Sequence, residues 1–114
     1  MPPREKASAM TRCPCTGVTL DKLLHPAILT VLAREDLHGY RLAQRVAELP
    51  VLNGVRPDMT GLYRCLKSLQ KRGFVSSSWD LPDAGPAKRR HALTPEGREC
   101  LSMWIATLEK YQEA

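Results

Sequence analysis

Apolar residues recur at intervals of three and four positions along most of this chain, which is the period of a helix with one buried face. The first such stripe consists of Leu20, Leu23, Leu24, Ala27, Ile28, Val31 and Leu32. Pro26 lies within it, so the helix either kinks at Pro26 or begins there with proline in its first turn. A second stripe predicts a helix from about His38 or Gly39 to Leu49, which Pro50 closes.

A third helix and a hairpin follow. The helix is predicted to have Asp58 or Thr60 as its N-terminal cap and Gly73 at its end. Its apolar side consists of Leu62, Cys65, Leu66 and Leu69. Residues 74–79 and 90–93 indicate two strands around a loop rich in Pro and Gly, and such a pair forms a β-hairpin.

A last helix is predicted after Thr94, which is a capping residue followed by proline at the first helical position. The order of three helices, a two-stranded wing and a fourth helix predicts a mainly α fold, a winged helix-turn-helix with an added C-terminal dimerisation helix. We expect a flexible N-terminal tail at 1–18, a DNA-binding domain at 19–94 and the dimerisation helix at 95–114. The core of so short a chain is thin, because only 5% of its residues are aromatic, and this favours a homodimer.

The composition indicates a partner with negative charge. The formal net charge is +5, and most of the excess cations lie between Arg56 and Arg98. Such a stretch is attracted to polyanions. The sequence shows neither an apolar run long enough to span a membrane nor an export signal, so we expect a cytoplasmic protein with reduced cysteines and no membrane partner.

Two basic elements are candidates for contact with double-stranded DNA. On the third helix, Arg64, Lys67 and Lys71 lie away from the apolar side, and Thr60 and Tyr63 offer hydroxyl groups to phosphate near the helix start. On the hairpin, the run Lys88, Arg89, Arg90 adds a second cluster, in which Arg90 either joins the basic surface or pairs with Asp80. A charged helix face alone is usually a solvated surface, but two adjacent clusters favour nucleic acid.

Four short motifs together resemble the PadR family of transcriptional regulators. They are Leu37-His38-Gly39-Tyr40-Arg41-Leu42, Gly61-Leu62-Tyr63-Arg64-Cys65-Leu66-Lys67-Ser68-Leu69, Arg72-Gly73-Phe74-Val75 and Leu93-Thr94-Pro95-Glu96-Gly97. The resemblance covers about residues 23–108 and implies a homodimeric winged-helix protein, usually a repressor, that binds a near-palindromic operator. It places Tyr40, Thr60, Gly61, Tyr63, Arg64 and Lys67 near DNA and Lys88 and Arg89 at the tip of the wing, and the charge pattern of the third helix adds Lys71. Arg64 departs from the proline that is common in the family at this position.

The same resemblance implies that the C-terminal helix packs against the first helix of the partner. The residues expected at that dimer interface, or at an effector site within it, are Leu24, Ile28, Leu101, Trp104, Ile105 and Leu108. Trp104 is most simply part of the dimer core, and the alternative is that it stacks on a flat ligand. An effector that relieves repression would be small and hydrophobic and would bind between the two C-terminal helices.

Cys13-Pro14-Cys15 supports an alternative function, in which a metal- or thiol-responsive sensor uses the two thiols and binds DNA as its output. A metal site is weakly supported, because the three histidines are scattered and do not complete a zinc-binding pattern. We expect no cofactor and no enzyme activity, since no nucleophile is paired with a base. A second alternative is a protein-interaction module built from the first and last helices.

Overall fold

The computed structural model describes residues 23–50, 52, 54, 56–81 and 85–113. Within these residues the chain forms four helices and three strands. They are α1 (Leu24–Leu32), β1 (Leu37–His38), α2 (Gly39–Ala47), α3 (Met59–Lys71), β2 (Val75–Asp80), β3 (Lys88–Leu93) and α4 (Pro95–Glu113). The predicted tail at 1–18 and the start of the first stripe lie outside the described residues.

The helix boundaries follow from local side-chain chemistry. The Asp58 carboxylate accepts a hydrogen bond from the backbone N–H of Gly61 at 3.2 Å, so Asp58 rather than Thr60 caps α3. Gly73 ends that helix with φ +84°, a conformation that glycine adopts without strain. Pro26 lies in the first turn of α1, where a backbone N–H would have no partner within the helix. The structure thus confirms the predicted end of α3 at Gly73 and, for Pro26, the alternative in which proline lies in the first helical turn.

The root of the wing and the start of α4 are joined by Thr94. Its hydroxyl donates to the carbonyl oxygen of Gly73 at 2.7 Å and accepts from the backbone N–H of Gly97 at 3.0 Å. The backbone N–H of Thr94 also donates to the carbonyl oxygen of Phe74 at 3.1 Å. The predicted cap is confirmed, and it also fixes the direction in which α4 leaves the hairpin.

The wing is a three-stranded antiparallel sheet in the order β1, β3, β2, not the two-stranded hairpin that the sequence predicted. β1 pairs Leu37 with His91 and His38 with Arg90. β3 is also longer than predicted, so Lys88 and Arg89 lie within it and not in the preceding loop, whereas β2 has the predicted length and is shifted by one residue. The pattern missed β1 because two residues are too few to show an alternation.

One hydrophobic core lies between α1, α2, α3 and the sheet. Its largest fully buried side chains come from all three helices and are Ile28, Leu29, Leu32, Leu42, Val46, Leu62 and Leu69. Cys65 is also buried, as its place on the apolar side of α3 predicted, and burial raises the pKa of its thiol to about 12. The thiolate of Cys65 is therefore scarce at neutral pH, which makes it a packing residue.

The placement of Ile28 requires a correction to the predicted dimer surface. Ile28 has no exposed surface and Leu24 is 8% exposed, because both face the chain's own core. A partner subunit has no access to Ile28. Leu101 and Trp104 are half-buried against the same core, whereas Ile105 and Leu108 remain exposed at 49% and 43%.

Candidate nucleic-acid interface

A groove of about 1320 Å³ runs between the start of α2, the exposed side of α3 and the strand β3. The residues that line it are His38, Gly39, Tyr40, Arg41, Tyr63, Leu66, Lys67, Gln70, Lys71, Lys88, Arg89 and His91. α3 and the wing therefore present their cationic residues to one shared space. Lys67 on the helix and Arg89 on the hairpin lie on the same side of the molecule.

The cations of this groove are not neutralised within the described part of the chain. Arg41, Lys67, Lys71, Lys88 and Arg89 form no ion pair there. Exposed and unpaired ammonium and guanidinium groups that face one groove can bind a row of phosphates.

Two chains of polar contacts hold the wing in place. In the first, Ser77 on β2 donates to the Oε1 atom of Gln70 on α3 at 3.1 Å. The same hydroxyl lies 3.1 Å from Nδ1 of His91 on β3, and since a hydroxyl has a single proton, the Nδ1–H group of His91 donates to it. This chain of three residues ties both strands of the hairpin to the helix that carries Lys67.

The second chain centres on Asp80. One carboxylate oxygen of Asp80 lies 3.1 Å from Nε2 of His38 and 3.5 Å from a guanidinium nitrogen of Arg90. The predicted alternative for Arg90 is confirmed, because its charge is balanced within the wing. His38 stands immediately before α2, but its side chain makes no capping hydrogen bond there and reaches the wing instead.

Tyr63 lies across the beginning of α2, and Gly39 makes this possible. A Cβ atom at position 39 would lie 2.7 Å from the hydroxyl oxygen of Tyr63 and 2.8 Å from its ring. These distances are too short for real contacts, so any larger residue at this position would displace the tyrosine. Gly39 of the His-Gly-Tyr motif thus allows α2 and α3 to pack closely together at the groove.

Arg56 is a site residue that sequence reasoning did not select. Its guanidinium carbon lies 5.1 Å from the centre of the Tyr40 ring, within the range of a cation–π contact. A hydrogen bond and the positive charge of Arg56 lower the pKa of Tyr40 from its usual 10. Arg56 thus adds a cation beside the groove wall. The sequence did contain a signal, since Arg56 stands two residues before Asp58, the cap of α3.

The structure brings together six of the nine residues expected near DNA. Those six line the groove and are Tyr40, Tyr63, Lys67, Lys71, Lys88 and Arg89. Thr60, Gly61 and Arg64 are on α3 but outside the groove walls, with Thr60 and Arg64 exposed. His38, Arg41, Gln70 and His91 were not selected. Gln70 lies three residues after Lys67, so helical spacing alone indicated its position.

His91 makes the stability of the domain sensitive to acid. Burial, with smaller contributions from the charges of Arg89 and His38, lowers its pKa from the usual 6.5. The unfolded chain therefore binds a proton that the folded chain excludes, so the contribution of neutral His91 is complete above pH 6.5 and is lost as the pH falls through the lowered pKa.

We expect the free energy of unfolding to fall below pH 6.5 with a slope of up to about 1.4 kcal/mol per pH unit from this group. In His91→Asn, whose amide can still donate to Ser77, urea titrations at pH 7.5, 6.5 and 5.5 should show a smaller fall. Parallel pH profiles for the two proteins would contradict this assignment.

The sensor alternative depends on two cysteines that the structure does not describe, and it stays a prediction. Cys13 and Cys15 lie outside the described residues, and those residues contain no cluster of three or more His, Cys, Asp or Glu that could hold a metal ion. Cys100 is half-buried against the core. None of the helices in the described ranges has both the length and the hydrophobicity to cross a membrane.

Solved structures share this fold. The chain superposes on a PadR-like transcription factor from Bacteroides fragilis with a TM-score of 0.72 and 22% identity, covering 82% of this chain and 86% of that one. A PadR family transcription regulator from Clostridium difficile gives a TM-score of 0.70 and 20% identity, with 80% and 92% covered. Bacillus subtilis PadR in complex with operator DNA gives a TM-score of 0.62 and 26% identity, and the superposition covers 73% of this chain and 46% of that chain.

Curated proteins gave no match to the sequence. The profile of the family described as "Transcriptional regulator PadR-like family", however, matches residues 28–103, which is more than half of the chain. The match includes α2, α3, the wing, the C-terminal part of α1, the first half of α4 and every residue that lines the groove. The sequence profile and the winged-helix fold agree, and this chain belongs to the PadR-like family of transcriptional regulators.

Proposed function

We propose that this regulator is a homodimeric repressor that binds a near-palindromic operator with its two grooves and releases it when a small hydrophobic effector binds. The observation that carries the proposal is the groove itself, where unpaired cations of α3 and β3 face a single space. The family and the solved complex of the Bacillus subtilis relative with operator DNA support the choice of duplex DNA as the ligand.

The shape of the groove suggests how each subunit would contact the duplex. The major groove of B-DNA, about 12 Å wide, admits one α-helix. With α3 inserted there, Lys67 and Lys71 lie beside the bases and the adjoining phosphates. Lys88 and Arg89 on the wing then follow the neighbouring backbone, a contact that gives affinity on every sequence. Base recognition is left to the exposed residues near the start of α3, including Thr60 and Arg64.

Dimerisation is proposed from the exposed apolar stripe of α4. Ile105, Leu108 and Tyr111 continue the line of Leu101 and Trp104 beyond the domain core and are exposed at 49%, 43% and 83%. A second copy of the chain would cover this stripe. The two α3 helices would then be related by a two-fold axis, which matches operator half-sites one helical turn apart, about 34 Å.

The effector is proposed to act through the same helices. A hydrophobic molecule bound between the two copies of α4 would change their separation or angle. Because α4 is joined to the wing through Thr94, such a change would alter the spacing of the two grooves. DNA would then fit one dimer geometry better than the other, which is sufficient for release.

Selection of bound sites from random duplex DNA tests the DNA-binding part of this proposal. We expect enrichment of an inverted repeat whose half-sites are about 10 base pairs apart, and an affinity that falls steeply with salt because bound phosphates release counterions. No enrichment, together with salt-independent binding, would contradict the proposal.

A variant pair tests the dimer separately. Ile105→Asp places a charge on the apolar stripe and should give a monomer in sedimentation equilibrium with greatly weakened binding to the selected site. Met103→Asp is the matched control, since Met103 is 69% exposed and lies on another side of α4. If both variants remain dimers, α4 is not the interface.

A further inference from the structure

Trp79 is a large aromatic residue left in solvent on the wing. It lies next to the end of β2, and 62% of its surface is exposed. In the register of the hairpin its partner on β3 is Arg89. The guanidinium carbon of Arg89 lies 5.6 Å from the centre of the Trp79 ring, within the roughly 6 Å that a cation–π contact requires.

The stacked pair lies on the side of the wing that faces α3. Side chains alternate along a strand, so Trp79 shares its face with Ser77, and Arg89 shares its face with His91. Ser77 and His91 form the polar chain to Gln70 of α3, and Arg89 lines the groove. The ring therefore holds Arg89 at the groove and not on the outer face of the sheet.

The two neighbouring arginines of β3 have different partners. Arg90 pairs with the carboxylate of Asp80, so its charge is largely neutralised. Arg89 has no acidic partner among the described residues and stacks on an uncharged ring. An aromatic ring can orient a guanidinium group but cannot cancel its charge, so Arg89 is ordered and remains fully available to an anion.

We propose that Trp79 is a positioning residue for DNA binding, one that holds the guanidinium group of Arg89 in the groove in the orientation that reaches a phosphate. The proposal rests on the proposed function, in which duplex DNA occupies the groove. A free arginine side chain loses much rotational freedom when it binds, and the stack removes part of that freedom before DNA arrives. Trp79 then raises affinity without touching DNA.

A double-mutant cycle tests this role. The probe is a fluorescein-labelled duplex of mixed sequence, about 30 base pairs or three helical turns long, titrated by anisotropy at two salt concentrations. Trp79→Leu should weaken binding about two- to fivefold per wing, while Trp79→Phe, which keeps a ring, should retain most of the affinity. In the Arg89→Ala background, Trp79→Leu should cause no further loss.

Two results would overturn the positioning role. An equal loss from Trp79→Leu with and without Arg89 would mean that the ring contacts DNA itself, and no loss in either background would mean that the stack does not affect binding. Thermal unfolding of Trp79→Leu and Trp79→Phe separates these effects from stability, since an exposed ring should leave the melting temperature almost unchanged. Salt-independent binding by the wild-type protein would contradict the proposed function itself. If the wild-type protein binds DNA with the expected salt dependence but the cycle shows no coupling between Trp79 and Arg89, only the role of Trp79 is contradicted.

Discussion

Replacement of Gly97 by alanine is expected to lower the free energy of unfolding by about 3 kcal/mol, in the upper part of the range for an overpacked site. Gly97 is the one buried residue in the described part of α4. A Cβ atom there would overlap the carbonyl oxygen of Phe74 and lie 2.5 Å from Cδ1 of Leu93. The backbone oxygen cannot rotate away, so α4 has to move off the root of the wing.

Gly61→Ala is the matched control for this change. Gly61 is also a helical glycine, but a Cβ atom there meets only the Asp58 carboxylate oxygen at 3.8 Å, an ordinary contact. Alanine has the higher helix propensity, so this variant should be as stable as the wild type or more stable by up to about 1 kcal/mol. Urea unfolding followed by circular dichroism at one fixed protein concentration compares the three proteins. Equal midpoints for Gly97→Ala and the wild type would refute the close packing at Gly97.

Removal of Lys67 and Arg89 together is expected to cause the largest loss of DNA affinity. These residues come from α3 and β3, two of the three elements that form the groove, and neither charge is paired within the described residues. If each contacts one phosphate in each subunit, the dimer loses four contacts. The slope of log K against log salt should then decrease by about 3.6, and affinity near physiological salt should fall by at least about 100-fold.

The double variant Arg34→Ala/Arg98→Ala is the control for the change in net charge. Both arginines are exposed and lie outside the groove, so this pair removes the same total charge from other surfaces. Anisotropy titrations from about 50 to 300 mM salt should give the control nearly the slope of the wild type. If both double variants lose affinity equally, DNA is held by overall charge and not by the groove.

The sequence predicted the features that depend on neighbours close along the chain. The helical period located the buried sides of α1, α2 and α3, and the cap at Thr94 and the stop at Gly73 need only a few adjacent residues. The basic residues of α3 and β3 were also recognisable, because one helix face and one hairpin are local units. For these reasons the winged-helix prediction was confirmed.

The features that the sequence did not predict depend on residues distant in the chain. His38 contacts Asp80 across 42 positions, and the two-residue strand β1 exists only because β3 lies beside it. Ile28 illustrates the same limit, since a periodic pattern shows that a side chain is buried but not whether its own chain or a partner covers it. The stack of Arg89 on Trp79 likewise required the register of the hairpin, which the loop between the strands determines.

The hydroxyl of Thr94 has a consequence for the operator that the proposed dimer would bind. Because it bonds to both Gly73 and Gly97, the long terminal helix and the hairpin turn as one rigid unit. In the proposed dimer, the distance between the two recognition surfaces would then be set by the crossing angle of the two copies of α4. Substitutions between the two copies of α4, far from the bound DNA, would thus change the number of base pairs that separate the half-sites. The bases preferred within each half-site would stay the same.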